Sequence, residues 1–173
     1  MNCDRSNIVL IGMPGAGKST LGVVLAKILN MSFIDADLVI QTQQGDTLQN
    51  LIDEHGAAGF IAIENEALCG IEATNSVIAT GGSAVYSEEA MRHFSAMGTI
   101  VYLRISFESL VNRLGDLAER GVVMMGDVRT LRDLYEERLP LYERYAHVVV
   151  DVDDQTISAA ARTVANAVNA SAL

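Results

Sequence analysis

Apolar residues along the chain occur in two kinds of run. Short runs rich in β-branched residues predict buried strands, whereas longer runs with apolar residues three or four positions apart predict amphipathic helices. The predicted strands are residues 8–11, 32–35, 77–80, 99–103 and 147–151. The predicted helices are residues 18–29, 57–73, 107–117, 128–145 and 156–168. Because the strands are almost continuously apolar and helices separate them, the pattern predicts a parallel sheet covered on both faces.

The predicted fold is therefore α/β, with a central five-stranded parallel sheet between two layers of helices. Its 173 residues suit a single domain, residues 1–173, which can bury a core without a metal or a disulfide. Residues 115–127 break the pattern because charged residues alternate there with Gly121, Gly126 and the apolar run 122–125. This segment is either a mobile lid or an ordinary surface loop.

Composition narrows the class of protein. Half of the residues are apolar and the mean hydropathy is +0.25, which excludes a disordered chain. No apolar run approaches the roughly 20 residues of a membrane span, and the N-terminus lacks a secretory signal. The net charge of −10 argues against nucleic acid and anionic membranes as partners. We therefore expect a cytoplasmic protein that binds small molecules.

Cysteine and histidine contribute no candidate site. Two cysteines, Cys3 and Cys69, are too few for a disulfide framework, and we expect both as reduced thiols that serve for packing or lie at the surface. The three histidines, His55, His93 and His147, lack the spacing of metal ligands, so we predict no zinc site.

A complete phosphate-binding pattern, GxxxxGK[ST], follows the first predicted strand and begins the first predicted helix. Glycines let backbone N–H groups approach phosphate oxygens, and the positive end of the helix dipole faces the bound anion. Lys18 would lie between the β- and γ-phosphates, and the Ser19 hydroxyl would bind Mg²⁺. The predicted ATP-binding residues of this loop are Gly15, Ala16, Gly17, Lys18, Ser19 and Thr20.

Two carboxylates, Asp35 and Asp37, lie at the end of the second predicted strand. The carboxyl ends of parallel strands form the ligand crevice of an open sheet, so the pair should lie beside the phosphate loop. One carboxylate could hold Mg²⁺ through water while the other accepts the proton of an attacking hydroxyl. The alternative is a polar strand end and a helix cap without chemistry.

Over nearly its whole length the chain resembles the shikimate kinases, small kinases with a phosphate-binding loop. Besides residues 12–20, the resemblance rests on the sequences FIDAD at 33–37, QGDTL at 44–48, GF at 59–60 with Glu64, IATGG at 78–82 and RLPLY at 138–142. Arg113 and Arg120 follow at matching spacing. The TGG and RLPLY sequences are more specific to the family than the phosphate loop.

The resemblance implies transfer of the γ-phosphoryl group of ATP to a ring hydroxyl of shikimate, under a closing lid, by a monomer. It implies that Asp35 is associated with Mg²⁺ and that Asp37 holds the acceptor hydroxyls. Arg113 resembles the residue stacked near adenine, and Arg120 the lid arginine that reaches the phosphates and, with Lys18 and Asp37, serves catalysis. Arg138 resembles an arginine that pairs with the substrate carboxylate.

Three positions depart from the family pattern. Ile61 stands where the family usually has a second arginine that grips the shikimate carboxylate. Ser83 replaces the third glycine of a Gly-Gly-Gly sequence that begins with Gly81 and Gly82 and lies against the substrate ring. Arg120 is followed by GVV rather than by proline and two leucines. A charge-assisted hydrogen bond contributes roughly 1.5–3 kcal/mol. The loss of such a bond to the substrate carboxylate at Ile61 should therefore affect acceptor binding more than the other two departures do.

Three functions remain open at this point. The first is a shikimate kinase that grips the carboxylate through Arg138 alone or recruits another arginine such as Arg92. The second is a kinase for a different small hydroxylated metabolite, such as an amino alcohol acid or a polyol, with Ile61 and Ser83 reshaping its site. The third is a non-catalytic nucleotide-binding protein. Against it argue the retained residues that serve mainly catalysis, namely Lys18, Ser19, Asp35, Asp37 and Arg120.

Overall fold

The computed structural model describes residues 6–114 and 130–171. The predicted lid, residues 115–127, lies outside the described residues, as do Arg120 and Cys3. No helix within the described ranges is long and apolar enough to cross a membrane.

Five parallel strands form one sheet in the order β2-β3-β1-β4-β5. They are β1 Asn7–Ile11, β2 Ser32–Asp35, β3 Ser76–Ala79, β4 Gly98–Arg104 and β5 Val148–Asp151. Every residue of the central strand β1 is buried, which explains why its sequence is apolar without alternation. The predicted five-stranded parallel sheet is thus confirmed.

Seven α-helices and one 3₁₀ turn are described around this sheet. The helices are α1 Lys18–Leu29, α2 Ala36–Gln44, α3 Leu48–Cys69, α4 Glu88–Met97, α5 Phe107–Leu114, α6 Leu131–Tyr145 and α7 Ile157–Ser171, and the turn is Ala84–Tyr86. The main core lies between the helices and the sheet and contains all four apolar residues of β1 from Ile8 to Ile11. A second, smaller core consists of Ile40, Leu51, Phe60 and Ala67 where α2 and α3 pack together.

The helix boundaries differ from the prediction in two ways. Helices α2 and α4 were not predicted, since α2 follows strand β2 without a loop and α4 is a largely polar segment in which Ala90, Met91 and Phe94 alone are buried. The helix predicted over residues 57–73 begins earlier, at Leu48, and ends at Cys69. Gly56, with φ 70° and ψ 177°, divides it into two helical segments, and the second of these is the part that the pattern predicted.

The order of the strands determines where a ligand can bind. After β1 the chain adds β2 and β3 on one side of β1, and then β4 and β5 on the other side. In an open parallel sheet, the carboxyl ends of the strands form a crevice where the direction of winding reverses. The phosphate loop follows β1, and the sequence TGG follows β3, so both lie at this edge.

Candidate functional site

A cavity of about 480 Å³ lies at the carboxyl edge of the sheet. The phosphate loop, α1, α2, α3, the segment after β3 and α6 all contribute to its walls. The lining residues that the sequence predicted as site residues are Gly15, Gly17, Lys18, Ser19, Thr20, Asp37, Gly81, Gly82, Ser83 and Arg138. The fold therefore brings the nucleotide side and the acceptor side of the prediction to one space.

The phosphate loop presents backbone N–H groups to this cavity. Gly17 is the N-cap residue of α1 and has a φ of 93°, which is unfavourable for any residue with a Cβ. Gly17 has no side chain to cap the helix, so the first N–H groups of α1 are left for a ligand. An anion in the cavity would meet these groups and the positive end of the helix dipole.

Lys18 is buried and turns back over the loop. Its Nζ donates hydrogen bonds to the carbonyl oxygens of Gly12, at 2.7 Å, and Met13, at 2.9 Å. Burial lowers the pKa of Lys18 to about 8, against the opposing effect of the nearby Asp37 carboxylate. The ammonium group is therefore held in place before any phosphate binds, but it loses its proton more easily than an exposed lysine does.

Two further residues that are predicted to bind nucleotide, one in the phosphate loop and one in contact with it, do not line the cavity. Ala16 is buried, and its carbonyl oxygen accepts a hydrogen bond of 3.4 Å from Nη1 of Arg113. Nη2 of Arg113 donates to the carbonyl oxygen of Val152 at 2.9 Å. Arg113 thus connects α5 to the phosphate loop and to the segment after β5, next to the predicted ATP site.

The two carboxylates of the FIDAD sequence lie in different places. Asp35 caps α2, since its Oδ1 accepts a hydrogen bond of 3.0 Å from the backbone N–H of Asp37. Asp35 does not line the cavity, whereas Asp37 does. Burial raises the pKa of Asp37, and the positive charge of Lys18 opposes this shift. Asp35 therefore caps the N-terminus of α2, while Asp37 lines the cavity.

Gly81 and Gly82 allow charged side chains to approach the backbone closely. A Cβ on Gly81 would lie 2.9 Å from both Asp37 Oδ1 and Glu64 Oε1. A Cβ on Gly82 would lie 2.8 Å from Nη1 of Arg138. Because real Cβ atoms do not tolerate such contacts, larger residues here would displace the ionic groups that surround the cavity.

Arg138 lies in α6 and is only 1% exposed, yet its guanidinium lines the cavity. Its Nε donates to the hydroxyl of Tyr86 at 3.2 Å, and its guanidinium carbon lies 5.1 Å from the centre of the Tyr86 ring. The Tyr86 hydroxyl in turn donates to Glu137. Tyr142, one turn after Arg138, donates to the carbonyl oxygen of Gly82 at 2.7 Å. These contacts fix the arginine at the end of the cavity where the acceptor is predicted to bind.

Glu64 is a site residue that the sequence prediction missed, although it belongs to the quoted resemblance. It is fully buried in α3 and lines the cavity, and its Oε2 accepts a hydrogen bond of 2.7 Å from the Ser83 hydroxyl. Burial raises the pKa of Glu64 to about 7. Its position four residues after the buried Phe60, on the apolar side of the helix, is the signal that could have indicated a buried carboxyl.

Two residues considered for the acceptor lie outside the lining of the cavity. Ile61 is half-buried and packs against the second core. Arg92 lies on α4 with its side chain 74% exposed and its guanidinium 3.6 Å from Glu88. The structure therefore does not bring either side chain to the carboxyl edge, and recruitment of Arg92 finds no support in its position.

The family, the relative and the two solved structures described next, all of which are similar to this chain, are shikimate kinases. The shikimate kinase family matches residues 14–169. The shikimate kinase of Shewanella sp. (strain ANA-3) is 38% identical over 165 residues, 94% of each chain. The structure of shikimate kinase from Acinetobacter baumannii in complex with shikimate is 29% identical, with a TM-score of 0.85 over 96% of this chain and 94% of that one. Shikimate kinase from Aquifex aeolicus is 31% identical, with a TM-score of 0.80 over 96% and 98% of the chains.

Proposed function

Because the chain belongs to the shikimate kinase family, we propose that it transfers the γ-phosphoryl group of ATP to a hydroxyl of shikimate, forming shikimate 3-phosphate. The observation that carries this proposal is the single cavity in which the phosphate loop, Asp37 and Arg138 meet. A nucleotide and a small acid bound there would have their reacting groups next to each other, and this positioning is most of what phosphoryl transfer requires.

On the nucleotide side, the backbone N–H groups of residues 15–20 hold the phosphates. Lys18 balances the charge that shifts toward the β–γ bridging oxygen as the bond breaks. Arg113 faces the adenine base, and its hydrogen bond to the carbonyl oxygen of Ala16 in this loop supports this proposal. Arg120 stays a prediction, as the residue that would add a further positive charge during transfer.

Oxygen ligands near the loop fit Mg²⁺. Ser19 is exposed to the cavity, and Asp35, which interacts electrostatically with Lys18, supplies a carboxylate at the end of β2. No group of three or more histidine, cysteine, aspartate or glutamate residues within residues 6–114 and 130–171 could hold a metal by itself. This suits Mg²⁺, which binds few protein ligands and completes its shell with water and phosphate oxygens. Bound there, Mg²⁺ would neutralise phosphate charge.

On the acceptor side, Asp37 holds the attacking hydroxyl and accepts its proton. The hydroxyl oxygen forms the new bond to the γ-phosphorus, while the bond to the bridging oxygen breaks and its electron pair leaves with ADP. A carboxyl whose pKa is raised by burial is a stronger base, and the neighbouring Lys18 favours its ionised form. Arg138 pairs with the carboxylate of the acceptor.

A second candidate is a kinase for a different small hydroxylated metabolite. The specific observation in its favour is that Ile61, where the family has an arginine, packs in the second core and leaves Arg138 as the arginine that lines the described cavity. For either acceptor, we propose a monomer that acts in the cytoplasm, without nucleic acid or membrane partners. The net charge of −10 argues against nucleic acid and anionic membranes as partners.

The direct test measures ADP release with Mg²⁺ and ATP in the presence of shikimate, and separately with other hydroxylated acids, polyols and amino acids. Turnover of shikimate with a KM in the ordinary range of enzymes, about 1 μM to 1 mM, supports the proposal. Turnover of another compound while shikimate is inert supports the second candidate. Tight ATP binding without turnover of any acceptor would identify a nucleotide-binding protein without catalysis.

Replacing Asp37 by asparagine should separate chemistry from nucleotide binding. We expect Asp37→Asn to lower kcat by about 10²- to 10⁴-fold, because the base is lost, while the Kd for ATP changes by less than about twofold. Asp53→Asn on the exposed side of α3 is the matched control and should leave both constants unchanged. Equal loss of turnover and of ATP affinity in Asp37→Asn would mean that Asp37 serves the nucleotide instead.

A further inference from the structure

Glu64 has one satisfied and one unsatisfied oxygen. Oε2 accepts the hydrogen bond from the Ser83 hydroxyl, whereas Oε1 has no hydrogen-bond partner in the part of the chain that is described. The carboxyl is fully buried, so water outside the cavity cannot compensate for the missing bond. A buried acceptor atom without a partner costs free energy, and in native proteins such an atom points to an unseen ligand or water.

The unsatisfied oxygen lies beside Gly81, one of the cavity-lining residues predicted to bind the acceptor. A Cβ on Gly81 would lie 2.9 Å from Glu64 Oε1 and 2.9 Å from Asp37 Oδ1, so both oxygens lie over the same stretch of backbone. Asp37 is the residue assigned to the attacking hydroxyl. A group bound beside that hydroxyl would therefore lie near Glu64. When it is ionised, this carboxylate accepts hydrogen bonds and donates none.

We propose that Ser83 is a positioning residue for the acceptor: its hydroxyl holds Oε2 of Glu64 and thereby directs Oε1 to accept a hydrogen bond from a second hydroxyl of the acceptor. This rests on the proposed function, because it names one more contact of the same acceptor. A glycine at position 83, as in the resemblance, could not hold Glu64 in this way. In such a chain the orientation of Glu64 would depend on other groups.

The charges around Glu64 suit this role near neutral pH. Burial and, to a lesser extent, the Asp37 carboxylate raise its pKa to about 7, although the Ser83 hydroxyl and the positive charges of Arg138 and Lys18 oppose this shift. Ile61, which stands where the family usually has an arginine, adds no positive charge that would lower this pKa. Acceptor binding should therefore strengthen as the pH rises through the pKa of Glu64, and loss of the Ser83 hydroxyl should move that transition to higher pH.

The test compares Ser83→Ala and Ser83→Gly with the wild type and with the control Ser87→Ala. Ser87 is also buried and its hydroxyl has no hydrogen-bond partner among the described residues, but it does not line the cavity. The probe is shikimate, and KM and kcat are measured between about pH 5.5 and 9. For both Ser83 variants we expect about a tenfold increase in the KM for shikimate, an unchanged KM for ATP and a pH transition at higher pH.

A second measurement does not depend on turnover. In protein labelled with ¹³C at the glutamate carboxyls, the Glu64 signal is assigned by its loss in Glu64→Gln and titrated by NMR. Its midpoint should be higher in both Ser83 variants than in the wild type and in Ser87→Ala. Unchanged KM and unchanged midpoints in the Ser83 variants would overturn the proposal, as would equal effects of Ser87→Ala.

The two proposals fail in different ways. A wild-type protein that phosphorylates shikimate but ignores substitution of Ser83 retains the proposed function and overturns the role of Ser83. A wild-type protein that does not act on shikimate overturns the proposed function and, with it, the contact of Glu64 to the acceptor. The NMR midpoints would then decide only whether Ser83 holds Glu64.

Discussion

Four ionisable side chains surround one cavity: Lys18, Asp37, Glu64 and Arg138. Burial disfavours the charged form of each group that titrates, so the pKa of Lys18 is lowered and those of Asp37 and Glu64 are raised. The opposite charges reduce these shifts but do not cancel them. The cavity therefore holds groups whose protonation should change when charged ligands bind.

At the residue scale, Lys18 should take up a proton when ATP binds near pH 8. In the free protein its pKa is about 8, so a large fraction of the lysine is neutral at that pH. Bound phosphates favour the charged form, raise its pKa and draw a proton from the buffer. We expect uptake of about half a proton per ATP at pH 8 and almost none at pH 6. Calorimetry in two buffers of different ionisation enthalpy measures this number.

Lys27→Met is the control for this experiment, since Lys27 lies on the exposed side of the same helix. The variant should take up the same fraction of a proton as the wild type. If the uptake at pH 8 is zero in the wild type, Lys18 is fully charged before ATP binds. The effect of burial on its pKa would then be smaller than the structure indicates.

At the scale of elements, α3 consists of two helical segments, and the second of these carries Glu64. Both segments contribute to the second core, with Leu51 before Gly56 and Phe60 after it, and the second segment also carries Glu64 to the cavity. Gly56 has φ 70° and ψ 177°, a combination that glycine adopts almost alone. The helix predicted from the sequence started at residue 57, directly after this glycine, and so it did not include the preceding segment.

Gly56→Ala tests the interruption. Nothing lies within 4 Å of an added Cβ, so the cost is conformational and we expect a loss of about 1–3 kcal/mol in the free energy of unfolding. Gly70→Ala is the control, because Gly70 has φ −82° and its Cβ would make ordinary contacts at 3.5 Å. Denaturant unfolding of both variants measures the difference. Equal stability would show that α3 accommodates a side chain at Gly56 without strain.

At the scale of the whole molecule, strand order brings distant segments to one edge. The loop after β1, the start of α2, the segment after β3 and the middle of α6 are far apart in the chain and meet around the cavity. This arrangement exists only in the folded state. Ligands that bind there must therefore stabilise folding in proportion to their affinity.

Thermal unfolding with Mg²⁺ and ATP measures this linkage. At about 100 times its Kd, the nucleotide should add about 2.7 kcal/mol to the free energy of unfolding and raise the Tm of the wild type. Lys18→Ala should lose most of this increase at the same ATP concentration, whereas Lys27→Met should keep it. An equal increase in Lys18→Ala would place the nucleotide away from the phosphate loop.

The sequence by itself determined the parallel sheet and the phosphate loop. Both signals are local: buried strands are continuous apolar runs, and residues 12–20 form a loop of consecutive backbone groups at one helix N-terminus. The tertiary structure alone decided that Ser83 holds Glu64 and that Ile61 packs away from the cavity. Such contacts join residues of separate elements, and their geometry depends on helix interruption and packing, which no local spacing encodes.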